Sequence, residues 1–160
     1  MAGLCLEVHN PAMGIARWPR KLRRFAELDI ADKWLVLQAV GWLAVARVQL
    51  AATPFDRLVA QLSTQQEPAS AALDPDLLRR IRYAIEAAAA SVPWRSDCFP
   101  QTIAARAMLR RKHHASTIHL GVERGGETGL LGHAWLTCGG EVVTGGGNLE
   151  RYTEIHRFSA

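Results

Sequence analysis

Cysteine is scarce in this sequence: there are three in 160 residues, Cys5, Cys98 and Cys138. An odd number at wide spacing does not make a disulfide framework, and a chain of this length buries enough apolar surface to fold without one. Residues 1–11 lack the basic start and apolar core of a secretory signal, so a cytoplasmic protein with free thiols is expected. Also missing is a polar-free apolar run long enough for a bilayer. Residues 34–52 approach that length but carry Gln38, Arg47 and Gln49. A central arginine alone costs about 2.5–3.5 kcal/mol on insertion scales. The run is read as a buried helix, with no stable membrane insertion. Internal repeats and low-complexity tracts are absent as well.

What is there is ordinary for a soluble domain: 49% apolar and 21% charged residues, which excludes disordered and fibrous classes. The net charge is +4, and much of it lies in Arg17, Arg20, Lys21, Arg23 and Arg24, with Trp18 interleaved. Nothing nearby adds a nucleic-acid fold signature, so the run reads as a solvated basic segment and no nucleic-acid partner is expected.

Asp32 is a candidate cap for a helix starting at Lys33, apolar on most sides through Trp34, Leu35, Leu37, Val40, Leu43 and Val45, and therefore central. It should end near Thr53-Pro54, because the residue before proline is pushed out of the helical region. A short amphipathic piece over 55–62 and a surface loop over 63–73 follow. Asp74-Pro75 opens the next helix as cap and first-turn proline. Leu77, Leu78, Ile81, Ile85 and Ala88 share one side of it, with Arg79, Arg80 and Arg82 largely on the other. A third helix is expected over 97–112, then strands at 116–122, 133–137 and 141–144. Gly125-Gly126 and Gly139-Gly140 serve as turns, the second with two-residue hairpin spacing. Helices first and antiparallel strands last make an α+β domain.

Two residues carry the chemistry. Ser96 or Asp97 caps the third helix, so Cys98 falls in its first turn, where unpaired amides and the helix dipole stabilise a thiolate and an oxyanion. Taken alone, Cys98 reads equally well as a small apolar residue on a buried face. Gly132-His133-Ala134-Trp135 adds a histidine at a strand start, with an aromatic on the same face two residues on. A cysteine and a distant histidine brought together by folding form a thiolate–imidazolium pair. His113-His114 reads as helix C-terminal capping. His119, which would join Cys98 and His133 in a zinc site, fits no recognised zinc spacing, so no metal is expected. Gly145 to Gly147 follow no strand-to-helix phosphate pattern.

Pro93-Trp94-x-x-x-Cys98 is followed by residues 104–111 (AARAMLRR), Leu120-Gly121-Val122 and Gly132-His133-Ala134-Trp135-Leu136. The tail adds Val142-Val143-Thr144-Gly145-Gly146 and Arg151-Tyr152-Thr153. In this combined pattern the chain resembles the transglutaminase-like cysteine protease domain of lasso-peptide biosynthesis proteins, the microcin-processing B family. The likeness runs from about residue 30 onward and is densest over 94–158. It implies a papain/transglutaminase-like α+β fold, with a partly extended, basic N-terminal segment over 1–28 and the protease domain over 29–160. It implies a stand-alone leader peptidase that cuts a ribosomally made lasso precursor peptide, commonly after a threonine at the penultimate leader position, and that uses no cofactor. A separate leader-binding (PqqD-like) protein is implied, since residues 1–28 are too few for that module, together with an ATP-dependent lasso cyclase.

Cys98 would be the nucleophile and His133 the base. Trp94 and Trp135 would line the substrate groove, Trp94 serving alternatively the oxyanion hole or the buried structure. The family's ring-orienting aspartate, about twelve residues after the histidine, falls here at Gly145. Glu141 is the first choice to replace it, with Thr144, Asn148, Glu150 or a carbonyl as alternatives. That departure keeps open a catalytically impaired scaffold for precursor and cyclase. A second alternative is another acyl-transfer enzyme on the same site, such as a transglutaminase or amidase.

Overall fold

Asp29, rather than Asp32, starts the first helix: its carboxylate accepts from the Ile30 amide at 2.7 Å, and α1 runs Ile30–Ala52. Asp32 lies in the first turn and pairs with Arg80 at 2.6 Å. The computed structural model describes residues 25, 28–64, 72–125 and 129–158. The basic run over 17–24, Cys5, Gly126 and most of the expected loop over 63–73 lie outside the described residues. After α1, Thr53 turns extended before Pro54, and α2 (Phe55–Thr64), α3 (Pro75–Ala89) and α4 (Cys98–Arg110) follow.

The expectation of a centrally buried α1 is corrected. Leu35, Val36, Ala39, Leu43 and Ala46 are buried, whereas Ile30, Trp34, Leu37, Val45 and Val48 are exposed. A helix apolar on most sides gives no sequence signal for which side packs. The candidate membrane-span length of this helix is a matter of composition; 28% of its apolar window is buried inside the fold.

The central helix is α4. Phe99, Pro100, Thr102, Ile103, Ala104, Ala105, Arg106, Met108 and Leu109 are all buried, and the helix packs against α1, α3, β2 and β3. Ala39, Ala46, Ala104 and Ala105 have no exposed surface, so small side chains let the helices approach closely. Ala104→Leu is expected to cost about 1–3 kcal/mol by overpacking, read as a lower urea midpoint with unchanged slope.

Asp74 caps α3 as expected, accepting from Asp76 and Leu77 amides at 3.0 and 3.3 Å, with Pro75 in the first turn. Its arginines do more than face water: Arg80 ties α3 to α1, and Arg82 donates to the Val143 carbonyl at 3.2 Å and to that of Val142.

Four antiparallel strands, β1 (Thr117–Gly125), β2 (Gly129–Cys138), β3 (Glu141–Thr144) and β4 (Thr153–Phe158), form a sheet in the order β3-β2-β1-β4. Gly139 and Gly140 both have positive φ, 58° and 87°, as the expected two-residue hairpin between β2 and β3 requires. β4 was not expected: of its residues only Phe158 is buried, so it lacks an alternating apolar pattern. Ile118, Ala134, Leu136, Cys138, Val143 and Phe158 are buried in the core the sheet shares with the helices. Alternation puts His119, Gly121, His133, Trp135 and Thr137 on the opposite face.

Candidate active site

Asp97 is the extended residue before α4, so Cys98 is the helix's first residue and its amide has no intrahelical acceptor. Thr102 Oγ1 donates back to the Cys98 carbonyl at 2.8 Å, and Gln101 Nε2 donates to the Ser96 carbonyl at 2.6 Å. Together they fix the turn that presents the thiol, which is partly exposed and free of any disulfide.

His133 sits on β2 opposite Gly121. Its Nε2 lies 2.8 Å from the Gly145 carbonyl oxygen. A carbonyl only accepts, so Nε2 carries the hydrogen, which leaves Nδ1 as the ring nitrogen available to the thiol. The imidazole pKa is raised above 6.5, first by its hydrogen bond with Cys98; burial opposes this, while the Gly145 bond and the charge of Cys98 assist. Folding therefore brings Cys98 and His133 together in one hydrogen-bonded pair.

The oxygen that orients the ring belongs to Gly145 and not to Glu141. Glu141 is exposed at the start of β3, paired with Cys138, five residues along β2 from the histidine. Asn148 and Glu150 are also exposed, and Thr144 is buried. Gly145 has φ +70°, and a Cβ built there would lie 2.3 Å from the Ala134 oxygen and 2.8 Å from Trp135 Cα. A side chain at this position has nowhere to go, and the backbone itself supplies the acceptor.

The imidazole stacks with two aromatic rings. Tyr152 lies at 4.6 Å between ring centroids and 25° between planes, and Trp135 at 6.1 Å and 19°. Tyr152 was not singled out from the sequence as a site residue; it entered only inside a matching tail motif. Trp135 is 7% exposed, and its indole crosses Gly121, where a Cβ would come within 2.8 Å of the ring. Gly121→Val is accordingly expected to push the indole off the imidazole and lower activity at least tenfold, with the loss of ring contact visible as a change in tryptophan fluorescence.

Trp94 precedes the nucleophile by four residues. It is partly buried, and its Nε1 is buried with no hydrogen-bond partner among the described residues. His114 is buried, and its amide closes the end of α4 on the Leu109 carbonyl at 3.1 Å. His119 does not join Cys98. Its ring is bonded to Glu154 and Thr137 and stacks on Trp135. No group of three or more His, Cys, Asp or Glu able to hold a metal ion is gathered among the described residues.

A family model described as Transglutaminase-like superfamily matches residues 40–157, well over half of the chain. No curated protein and no solved structure matches it.

Proposed function

Because the chain belongs to the transglutaminase-like superfamily, we propose that Cys98 and His133 are the reacting pair of a cysteine peptidase, and that this peptidase removes the leader from a lasso-peptide precursor. The observation that carries the reading is the thiol–imidazole hydrogen bond, with the far ring nitrogen locked on a backbone carbonyl. The finer assignment rests on the resemblance of the segments around Trp94, Cys98, His133 and Gly145 to the leader-peptidase domain.

His133 Nδ1 takes the thiol proton and the sulfur attacks the scissile carbonyl carbon. The new oxyanion lies at the head of α4, where the Cys98 amide donates to it. The imidazolium returns its proton to the departing amine as the C–N bond breaks, leaving a thioester on Cys98 and freeing the downstream peptide with an α-amine. Water then loses a proton to Nδ1 and adds to the thioester, and the C–S bond breaks. This releases the leader as an acid and restores the thiol. The freed amine is what an ATP-dependent cyclase needs for ring closure onto an acidic side chain. Delivery of the precursor would fall to a separate leader-binding protein, and Trp94 would wall the groove, whereas Trp135, expected to line it too, is buried in a stack with His119 and His133 and supports the imidazole instead. A free catalytic thiol suits a reducing, cytoplasmic setting.

A carbonyl acceptor on the ring disfavours the impaired-scaffold reading, since the orienting bond persists without an aspartate. The test is mass spectrometry of a cognate precursor incubated with this protein and its leader-binding partner, wild type against Cys98→Ala. A leader fragment formed only with the wild type is expected. Equal cleavage by both proteins sinks the assignment, and transfer of the acyl group to an added amine in place of water favours a transglutaminase.

A further inference from the structure

The reacting pair leaves a second histidine unused. His119 projects from β1 beside Trp135 with both ring nitrogens engaged: Nδ1 lies 2.8 Å from Glu154 Oε2, and Nε2 lies 2.9 Å from Thr137 Oγ1. The three residues stand on three different strands, β1, β2 and β4. The ring is nearly parallel to the Trp135 indole, 5.2 Å away at 3°. The same indole also stacks with the His133 ring at 6.1 Å and 19°, and Tyr152 stacks on His133 at 4.6 Å. Glu154 is also gripped by Arg157 at 2.7 Å. Burial works to raise the Glu154 pKa, but the bonds from His119 and Arg157 outweigh it, so the carboxyl lies below its ordinary range and stays charged.

We infer that His119 is a positioning residue: bonded at both nitrogens to Glu154 and Thr137, it clamps the Trp135 indole against the imidazole of His133. The inference rests on the reading of Cys98 and His133 as the reacting pair. The physical reason for a clamp is the imidazolium formed when the thiol gives up its proton. An indole face held at cation–π distance favours that charged ring, and among the described residues the ring's bonds go to Cys98 and the Gly145 carbonyl, not to a carboxylate. An indole free to tilt loses the interaction. Two fixed hydrogen bonds on one rigid ring hold it flat at a smaller entropic cost than a longer side chain would. A hydroxyl bonded to an imidazole bonded to a carboxylate also has the connectivity of a hydrolase triad. The flat packing of His119 on Trp135 and the place of Thr137 near the end of β2, paired with Thr117 of β1 on one side and Val142 of β3 on the other, assign it to support instead.

The test needs no peptide substrate. Alkylation of Cys98 by iodoacetamide, followed peptide by peptide in the full-length protein, reports thiolate content against pH. Wild type is expected to react well below the pH range of a free thiol, and His133→Ala to lose that low-pH reactivity. His119→Ala should slow alkylation near pH 6 about three- to tenfold and converge with wild type above pH 9. Glu154→Ala and Thr137→Val should do the same in part, and Glu154→Gln, which still accepts from Nδ1, should restore most of what Glu154→Ala loses.

A folded His119→Ala protein with the wild-type profile overturns the clamp while leaving the reacting pair intact. If His119→Ala does not fold, the same profile in Thr137→Val and Glu154→Ala decides. Absence of low-pH reactivity in the wild type overturns the pair and the clamp together, and labelling of Thr137 by a fluorophosphonate overturns the supporting role.

Discussion

Alanine at His133 is expected to abolish cleavage about as completely as alanine at Cys98, with kcat down on the order of 10³-fold or more for either, and the double variant no worse than the single ones. The two groups act as one unit. Without Nδ1 the thiol has no internal base, and without sulfur the imidazole has nothing to activate. Steady-state assays on a cleaved precursor, with product identified by mass, check this. An additive double variant would mean that the two residues serve separate steps.

The same pair sets the pH profile. The His133 imidazole is raised above 6.5, chiefly by its bond with Cys98. The charged ring therefore persists to higher pH than in a free histidine, and the alkaline limb of kcat/KM is expected above 6.5. The sign for stability follows from linkage. A raised pKa contributes stability that is fully present below the unfolded value and is lost as pH climbs through the folded one. Thermal unfolding of His133→Ala against wild type should therefore diverge most below about pH 6 and converge on the alkaline side. The ring is only partly buried, and solvent screens its charge, so the effect is small beside the loss of activity.

Much of this arrangement could be read from the residues before any coordinates. Asp97-Cys98 before an apolar-periodic stretch places a thiol at a helix head, although the expected cap is met only by the extended backbone of Asp97, whose side chain makes no capping hydrogen bond, and Gly139-Gly140 between two strand-like runs specifies the hairpin that follows the histidine strand. These are local signals. Where the outcome depended on what lay across a gap, the sequence was silent or misleading. Asp29 and Asp32 are both good caps, and only the Arg80 partner shows why Asp32 sits one turn inside. The apolar residues of α1 surround the helix, so burial of the Leu35 side and exposure of the Trp34 side could not be told apart. β4 carries His156 where alternation in step with Phe158 would need an apolar residue, and its pairing with β1 slips between Leu120 and Gly121, which breaks the alternation further. The strand that helps hold the outer-face stack in place was therefore hidden by the polar residues that give it that task. The orienting group was sought among side chains, whereas a carbonyl has no sequence signature beyond the glycine that makes room for it.

That glycine gives the sharpest counter-intuitive result. If the family's aspartate were simply missing, Gly145→Asp would restore it and raise activity. The geometry demands the opposite: φ is +70°, and a Cβ would sit 2.3 Å from the Ala134 oxygen, deep inside contact distance of backbone that cannot swing aside. Aspartate tolerates the left-handed region, but not the collision. Gly145→Asp and Gly145→Ala should each be destabilised by about 2 kcal/mol or more and lose at least a hundredfold in activity as the Gly145 carbonyl moves off the imidazole. Gly146→Asp is the control. The nearest atom to a Cβ there is a Val142 methyl at 3.5 Å, so the added carboxylate should fold normally and leave cleavage near wild type. Urea unfolding and a rate measurement on the three variants separate the two accounts. Recovery of activity in Gly145→Asp would mean that the backbone can retreat and that a side chain, not the carbonyl, is the natural partner of His133.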